Sequence, residues 1–463
     1  MICRTQGEGV GVGKQRNAVR SGRVHRSLRP AALAGRTAAR WAGTYFAWGQ
    51  RKKRRRERFV LRTAEDVTRT MGEMKGAVMK VGQVLSLMTG MVPDEMAAQL
   101  ATLQGDAPPM AYGLVEQAFI REFGEPPGKV FRSFEREPFA AASIGQVHRA
   151  VTRDGERVAV KVQYPGVREA IEHDLANVGL MLGMAGLVAR GLDVGAIVND
   201  LKEGIRGELD YLREAGYQER FGAIYEGHAL VRVPRVVREL TTSSILVQEY
   251  IEGRPFAEAA ARPLDERQRI GEIVFRFAFG NLYRNHLFNG DPHPGNYLLC
   301  DDGRVAFVDY GCVTEFSAEV VERFKRVLRA LYAGELEGWR AATEEVGILR
   351  RGAPYSTAEL YEHMHWFWAP VLADRVTFDR ALVTEMVRRN TMTTGRGGEI
   401  NRHLNIPEGM VFLSRINFGL AGVLAGLEAR GPWRGIIAEY VHGEPPCTDL
   451  GRLSAATSRG PAV

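Results

Sequence analysis

Asp291-Pro292-His293-Pro294-Gly295-Asn296, followed by Val308-Asp309-Tyr310-Gly311, decides how this chain is read. An Asp is followed by an Asn five residues on and by a second Asp eighteen residues on. Chemistry that moves a phosphoryl group needs parts in that order: an acid to orient the acceptor, then an amide and a carboxylate to hold Mg²⁺ against a triphosphate. Asp291 is therefore the candidate catalytic acid, and Asn296 and Asp309 are the candidate metal ligands. His293 reads as a brace for a loop with two prolines rather than as a proton-transfer group, because Asp291 already fills that role.

The same Asp-x-x-x-x-Asn step and Asp-aromatic-Gly occur in the protein-kinase signature, which also places a strand lysine upstream. Val158-Ala-Val-Lys161 supplies one. Taken alone a strand-end lysine is usually only solvated; in this order, Lys161 is the candidate for the α- and β-phosphates. Its strand follows Arg153-Asp-Gly-Glu156, whose Asp-Gly pair predicts a hairpin turn. A glycine-rich loop would be expected before the hairpin. The chain has Pro138-Phe-Ala140-Ala141-Ala142-Ser143-Ile-Gly-Gln-Val-His148 instead. Alanine does not readily adopt the positive φ that glycine allows, so this backbone should cross the nucleotide differently. Further on, Glu208-Leu-Asp210-Tyr-Leu-Arg-Glu214 is expected on one helix, with Asp210 and Glu214 sharing a face. Glu214 is the candidate partner of Lys161. The 53 residues between them exceed one connecting helix, so a helical insert is expected.

Around these motifs, Val67, Met71, Met74, Val78, Val81, Leu85 and Met88 give a helical apolar stripe within 61–104, ended by Gly105-Asp-Ala-Pro-Pro109. A helix at 113–123 follows. Strands are expected within 130–134, 145–151, 157–162, near Val231 and over 244–250. Residues 168–220 read as continuous helix, and the chain from about 265 as mostly helical. The class is α+β, a small β-rich lobe before a larger helical one. Trp366-Phe367-Trp368 reads as core packing rather than a lipid-headgroup or isoprenoid pocket.

A chain of 463 residues with 45% hydrophobic and 25% charged residues has the composition of an ordinary globular protein. Its four cysteines contain no CxxC pair, which argues against a disulfide framework or a zinc site. The net charge of +7 is unevenly placed: residues 1–58 carry 16 Lys and Arg against 2 acids, so the remainder is acidic. Arg51-Lys-Lys-Arg-Arg-Arg56 follows Trp41, Tyr45, Phe46 and Trp48. Such a segment suits an anionic membrane surface. It equally suits a solvated, disordered arm, while nucleic acid is the disfavoured partner. It has no apolar region of a secretory signal. Leu175 to Ala189 is uncharged but only fifteen residues long, too short to span a bilayer.

With Lys80-Val-Gly-Gln83, the alanine-rich stretch, Val158–Lys161, Glu208-Leu-Asp210, Asp291–Asn296 and Asp309-Tyr-Gly311 in order, the chain resembles the UbiB/AarF (ADCK) family of atypical kinases over about residues 61–315. The resemblance implies a two-lobed protein-kinase-like fold with an N-terminal Lys-x-Gly-Gln extension lying across the active site. Lys80 and Gln83 would then occupy the space of a protein substrate, with Lys80 counted among the catalytic groups. Glu208 and Asp210 would hold the extension and help with nucleotide and metal. Ala140, Ala141, Ala142, Ser143, Lys161, Glu214, Glu249 and Tyr250 are assigned to ATP. It further implies Mg²⁺-ATP-dependent kinase or ATPase activity serving quinone or isoprenoid-lipid metabolism. An anionic membrane lipid or a quinone precursor would be the partner, in the cytoplasm or at the inner face of a membrane; a homodimer is left open. The expected divisions are a leader (1–58), the extension (59–125), the small lobe with its insert (126–255) and the helical lobe (256–463). Tyr310 departs from the family's usual Phe, and Asn289-Gly290 from its usual His-Ala. The polar stretch Thr448 to Val463 replaces the transmembrane helices of some relatives, so membrane contact is expected from the leader or a surface helix. The alternatives are a small-molecule kinase of the aminoglycoside or choline type, and a nucleotide-gated lipid-binding scaffold.

Overall fold

The structure, a computed structural model, describes residues 110–142, 144–169, 171–172, 206–390, 395–405 and 411–457. The basic leader, Lys80, Gln83, Ser143 and most of the expected insert lie outside the described residues.

The small lobe is built on one antiparallel sheet. Its strands are β1 (Ser133–Phe134), β2 (Ala140–Ala142), β3 (Gly145–Val151), β4 (Arg157–Gln163) and, later in the chain, β6 (Ile245–Glu249). The spatial order is β1-β3-β4-β6, with β2 also on β3. Helix α1 (Tyr112–Phe123) covers one face, burying Val115 and Phe119 against Phe131, Val158, Val160 and Val247. Gly124 ends it at φ 76°, its N–H donating to the Ile120 carbonyl, because the left-handed cap costs glycine nothing. The Asp-Gly turn forms as expected, with Gly155 at φ 92° and the Thr152 N–H on the Glu156 carbonyl at 2.9 Å. At Gly145 a Cβ would come within 2.2 Å of the Val162 carbonyl oxygen. Only glycine allows β3 that close to β4.

One sequence expectation fails here. The helix expected across Glu208–Ala215 is broken: a helical turn at 206–208 stops at Leu209, and α2 (Tyr211–Ile224) starts anew. Asp210 is the N-cap, its carboxylate accepting from Leu212 N at 3.0 Å and Arg213 N at 3.3 Å. Aspartate competes for backbone donors and so starts helices more readily than it continues them. Asp210 therefore sits at the helix mouth rather than on its face with Glu214.

The larger lobe follows β5 (Val231–Arg232) and β7 (Arg254–Pro255). It is organised around α3 (Leu264–Gly280), α4 (Ala318–Ala333), α5 (Leu336–Val346), α6 (Thr357–Met364), α7 (Arg380–Asn390), α8 (Gly395–Asn401), α9 (Val411–Gly426), α10 (Trp433–Val441) and α11 (Asp449–Thr457). Phe275, Phe277, Trp339 and Trp433 anchor its core, each contributing several kcal/mol by the usual cost of truncating a buried aromatic, roughly 3–5 kcal/mol. Trp368 packs edge-on against Trp339 at 5.9 Å, on the edge of the core, while Phe367, against Trp368, shares with it the lining of an apolar cavity. Between α3 and α4 lie β8 (Leu287–Asn289), β9 (Tyr297–Leu299), β10 (Val305–Phe307) and β11 (Val313–Glu315). β8 pairs with β11 and β9 with β10. These two short ladders present the loops carrying Asp291 and Asp309.

Candidate phosphoryl-transfer site

Alternation along β4 puts Lys161 on the face away from α1, and the register sets it opposite Val147 on β3 and Leu246 on β6. The Asp210 cap starts α2 so that Glu214, one turn in, reaches under the sheet. Lys161 Nζ lies 2.9 and 3.1 Å from the two Glu214 carboxylate oxygens and 3.3 Å from Asp309 Oδ2. The Tyr211 ring centroid is 5.0 Å away. The expected Lys161–Glu214 pair is thus formed, and Asp309 joins it. Gly311 makes this convergence sterically feasible. A Cβ there would meet Glu214 Oε2 at 3.3 Å, Asp309 Oδ1 at 3.4 Å and Glu208 Cγ at 3.6 Å. Burial alone would discharge Lys161, but Asp309 and Glu214 outweigh it and hold the ammonium well above its ordinary value. Glu214 is pushed up to about 7 by burial, with Lys161 opposing and Asp309 adding. Two carboxylates share one ammonium, and the more buried of them, Glu214, gives way.

The acid side is held differently. Asn289 bridges the two loops, its Nδ2 donating to the Asp309 carbonyl at 2.8 Å and its Oδ1 accepting from Asp291 N at 3.3 Å. The residue that departs from the family's His-Ala therefore has a defined job. Asn296 Nδ2 donates to Asp291 Oδ2 and to the Asp291 carbonyl, both at 3.2 Å. His293 Nδ1 accepts from Gly295 N at 3.0 Å, the bracing contact expected of it. Tyr310 is buried, its hydroxyl on the Phe307 carbonyl at 3.0 Å. That bond fixes the ring and so the backbone turn that aims Asp309.

Ala140–Ala142 form a strand rather than a glycine-like loop, paired with β3 through Ala140–Val147, Ala141–Gln146 and Ala142–Gly145. Gln146 and His148, further along that stretch, point to the other face. Gln146 Nε2 bonds His148 Nε2 at 2.9 Å, His148 Nδ1 bonds the Glu135 carbonyl at 2.8 Å, and Gln146 Oε1 accepts from Met110 N at 2.9 Å. Since the Met110 N–H must donate, the amide orientation follows, and with it a neutral imidazole protonated on Nδ1. Burial lowers the imidazole pKa in agreement. Glu249, assigned to ATP, directs its carboxylate to Arg232 at 2.6 Å and the Arg235 N–H at 3.2 Å, so any nucleotide contact falls to its backbone. Tyr250 packs edge-on against Phe139 at 5.7 Å beside the alanine strand.

Sequence reasoning passed over Gln248. It pairs with Ala159 on β4, and therefore faces the Lys161 side of the sheet. Its Nε2 donates to the Val308 carbonyl at 3.4 Å, and its Oε1 is buried with no hydrogen-bond partner. An orphaned acceptor, a charged lysine and a tight glycine turn fit a nucleotide. Among the described residues no three His, Cys, Asp or Glu side chains form a ready-made metal cage. That suits Mg²⁺, which is usually held by one or two carboxylates with substrate phosphates completing its shell. Asp309 and Asn296 would hold it, and it would neutralise charge on the phosphates; Lys161 would bind the phosphates and Asp291 orient the acceptor.

The sequence model of the ABC1 atypical kinase-like domain matches residues 102–342. An uncharacterized protein of Synechocystis is 32% identical over 58% of this chain and 69% of its own length. The mitochondrial atypical kinases coq-8 of Caenorhabditis elegans and COQ8 of Saccharomyces cerevisiae are each 29% identical, over 62% and 61% of this chain. The chain spans only 39% and 57% of those two proteins. A Mycobacterium tuberculosis protein solved in complex with erythromycin is similar in structure, with TM-score 0.61 and 30% identity, over 84% of this chain and 98% of that one.

Proposed function

We propose that this chain, which belongs to the ABC1 atypical kinase-like family, is an Mg²⁺-ATP-dependent kinase or ATPase of the UbiB type. The observation that carries the reading is the Lys161–Glu214–Asp309 cluster, with one ammonium 3.3 Å or less from two carboxylates. A structural ion pair needs one counterion; a second carboxylate beside it suits a site that awaits a cation and phosphates. Asp291 would be the acid that orients the acceptor. Lys80 and Gln83 would act on an extension spanning 59–125, ahead of small-lobe and helical-lobe units divided near 255. Glu208, against Gly311, supports the resemblance's assignment of that glutamate to the metal end of the site.

The service to quinone or isoprenoid-lipid metabolism rests on the kinship with the two COQ8-type kinases. It is supported by an apolar cavity of about 110 Å³ in the larger lobe, lined by Phe279, Tyr283, Phe367, Trp368, Phe378 and Met386 among others. Apolar cavities of this order bind rings of benzene size. A relative that binds a macrolide adds to the case for an apolar ligand. No helix among the described residues is long and apolar enough to cross a membrane, so the proposed lipid contact is peripheral, through the basic leader. ADP release by the full chain, with and without anionic vesicles, tests the reading. Turnover that rises with anionic lipid and vanishes in Asp309→Asn supports it. Absence of ATP binding by the wild type sinks it, and phosphate transfer to a soluble aminoglycoside or choline moves the chain to the small-molecule alternative.

A further inference from the structure

Resting on the reading of the cleft as a phosphoryl-transfer site, we infer that the apolar cavity of the larger lobe is a control site whose occupant acts on the Asp291 loop through helix α9. The cavity, of about 110 Å³, is walled by residues of α3, α4, α9 and the turn Asn281–Asn285, among others. Seven of its lining residues are aromatic, and among the described residues none is charged. A void of this order with such a lining stays dry and takes a ring about the size of benzene. The occupant it fits is a single apolar ring.

Two of its walls lead to the catalytic loop. Leu282 and Tyr283 stand in the turn that runs through His286 into β8, and β8 ends two residues before Asp291. The other wall is α9, which contributes Leu420 and Ala421. The residue before them, Gly419, lies against Pro292, the buried residue directly after Asp291. A Cβ on Gly419 would stand 2.6 Å from Pro292 Cγ, so only bare backbone lets the helix come this close. Each residue advances about 100° around a helix, which sets Gly419 and Ala421 on nearly opposite sides of α9. One helix thickness therefore separates the cavity from the loop.

An unfilled cavity leaves α9 without partner atoms on its inner side. The helix then yields when Pro292 moves, and Asp291 moves with it. A ring in the cavity backs α9 and holds the loop in place. Small displacements of a group that orients an acceptor are costly in rate, so occupancy acts on kcat. The affinity for ATP, which falls to Lys161 and Asp309, stays as it is.

Toluene is the probe, used on the full chain. It is expected to raise the thermal midpoint saturably, as a ligand of the folded state does, and to raise kcat about two- to fivefold with KM for ATP unchanged. Ala421→Leu fills the cavity from α9, and Val371→Phe fills it from another wall. Either variant should lose the toluene-induced midpoint shift and hold kcat near the toluene-saturated wild-type value without toluene. Gly419→Ala drives a methyl into Pro292 and should lower kcat about tenfold, again with KM for ATP little changed. A mere packing void would bind toluene and shift the midpoint while kcat stayed constant, and that result overturns the inference. So does a wild-type midpoint that toluene fails to move; both readings stand even if neither filling variant folds. Toluene binding by a chain that turns over no ATP would instead overturn the reading on which the inference rests.

Discussion

Lys161 and Glu214 have side-chain exposures of 11% and 1%, and charge holds them together. Asp291 and Asn296 sit half-buried on a loop, positioned by an amide, backbone hydrogen bonds and a histidine brace. The first pair is sensitive to what the site contains, because burial makes each charge depend on its neighbours. The second is sensitive to geometry, because its described contacts run through amides and backbone beside solvent. The lysine side should answer to pH and charge deletion, and the acid side to changes that move a backbone.

Asp309 belongs to both halves, since its carboxylate touches Lys161 and its carbonyl is held by Asn289. Asp309→Asn should therefore give the largest loss of turnover, about a thousandfold or more, as metal binding is worth several kcal/mol. Asp291→Asn should cost roughly 10²- to 10⁴-fold in kcat while leaving ATP affinity nearly intact. Nucleotide titration beside kcat checks both. If Asp291→Asn instead abolished ATP binding, the division between the two sides would be wrong.

Charge deletion sharpens the same contrast. Lys161→Met leaves Glu214 and Asp309 facing each other, and at pH 8 should cost about 3 kcal/mol of stability, the low end for breaking a buried pair because Asp309 is partly exposed. Glu214→Gln leaves Lys161 with Asp309 and should cost clearly less. Chemical denaturation of both variants measures the difference; equal losses would mean that Asp309 contributes nothing to the cluster.

The raised Glu214 pKa, about 7, gives two opposite pH trends. The folded state holds a proton that the unfolded chain releases near the ordinary carboxylate value. This group's contribution to stability is therefore full below about pH 4.5. It is lost as pH rises through about 7. Turnover should move the other way, rising across that window as Glu214 ionises and pairs with Lys161. Glu214→Gln should flatten the stability limb. A wild-type midpoint that climbs between pH 5 and 7 by the same amount in both proteins would remove Glu214 from the account.

Motif order made the candidate site readable in the sequence: Lys161 stands on its strand, the Asp-Gly turn forms, and Asp291 and Asp309 lie on loops between short strands. Period-2 alternation and turn chemistry are local signals, and they are enough for β3 and β4. What stayed hidden depends on three-dimensional pairing. Asp210 reads as a helical residue until its carboxylate is seen on Leu212 and Arg213 N–H groups. Gln146 and His148 look like part of a phosphate loop, yet they bond Met110 and Glu135 on the opposite face. Gln248 gave no signal, because only the β4–β6 register shows which way it points. The short apolar run that contains it fits a strand with either face buried.

The smallest expected effect falls on the acid side. His293 is exposed, and its ring nitrogen caps the Gly295 N–H in place of a backbone acceptor. Gly295 is what admits the ring this close, since a Cβ there would stand 2.9 Å from His293 Nδ1. His293→Ala removes the brace and should lower kcat only about two- to fivefold, the scale of a lost cap. His293→Asn offers a carbonyl oxygen at similar reach and should recover most of that loss. A proton-transfer histidine would behave otherwise: both variants would lose activity alike, and the alkaline or acid limb of the rate profile would disappear. Comparing Ala with Asn at one position thus separates a loop held in place by shape from one that takes part in proton transfer.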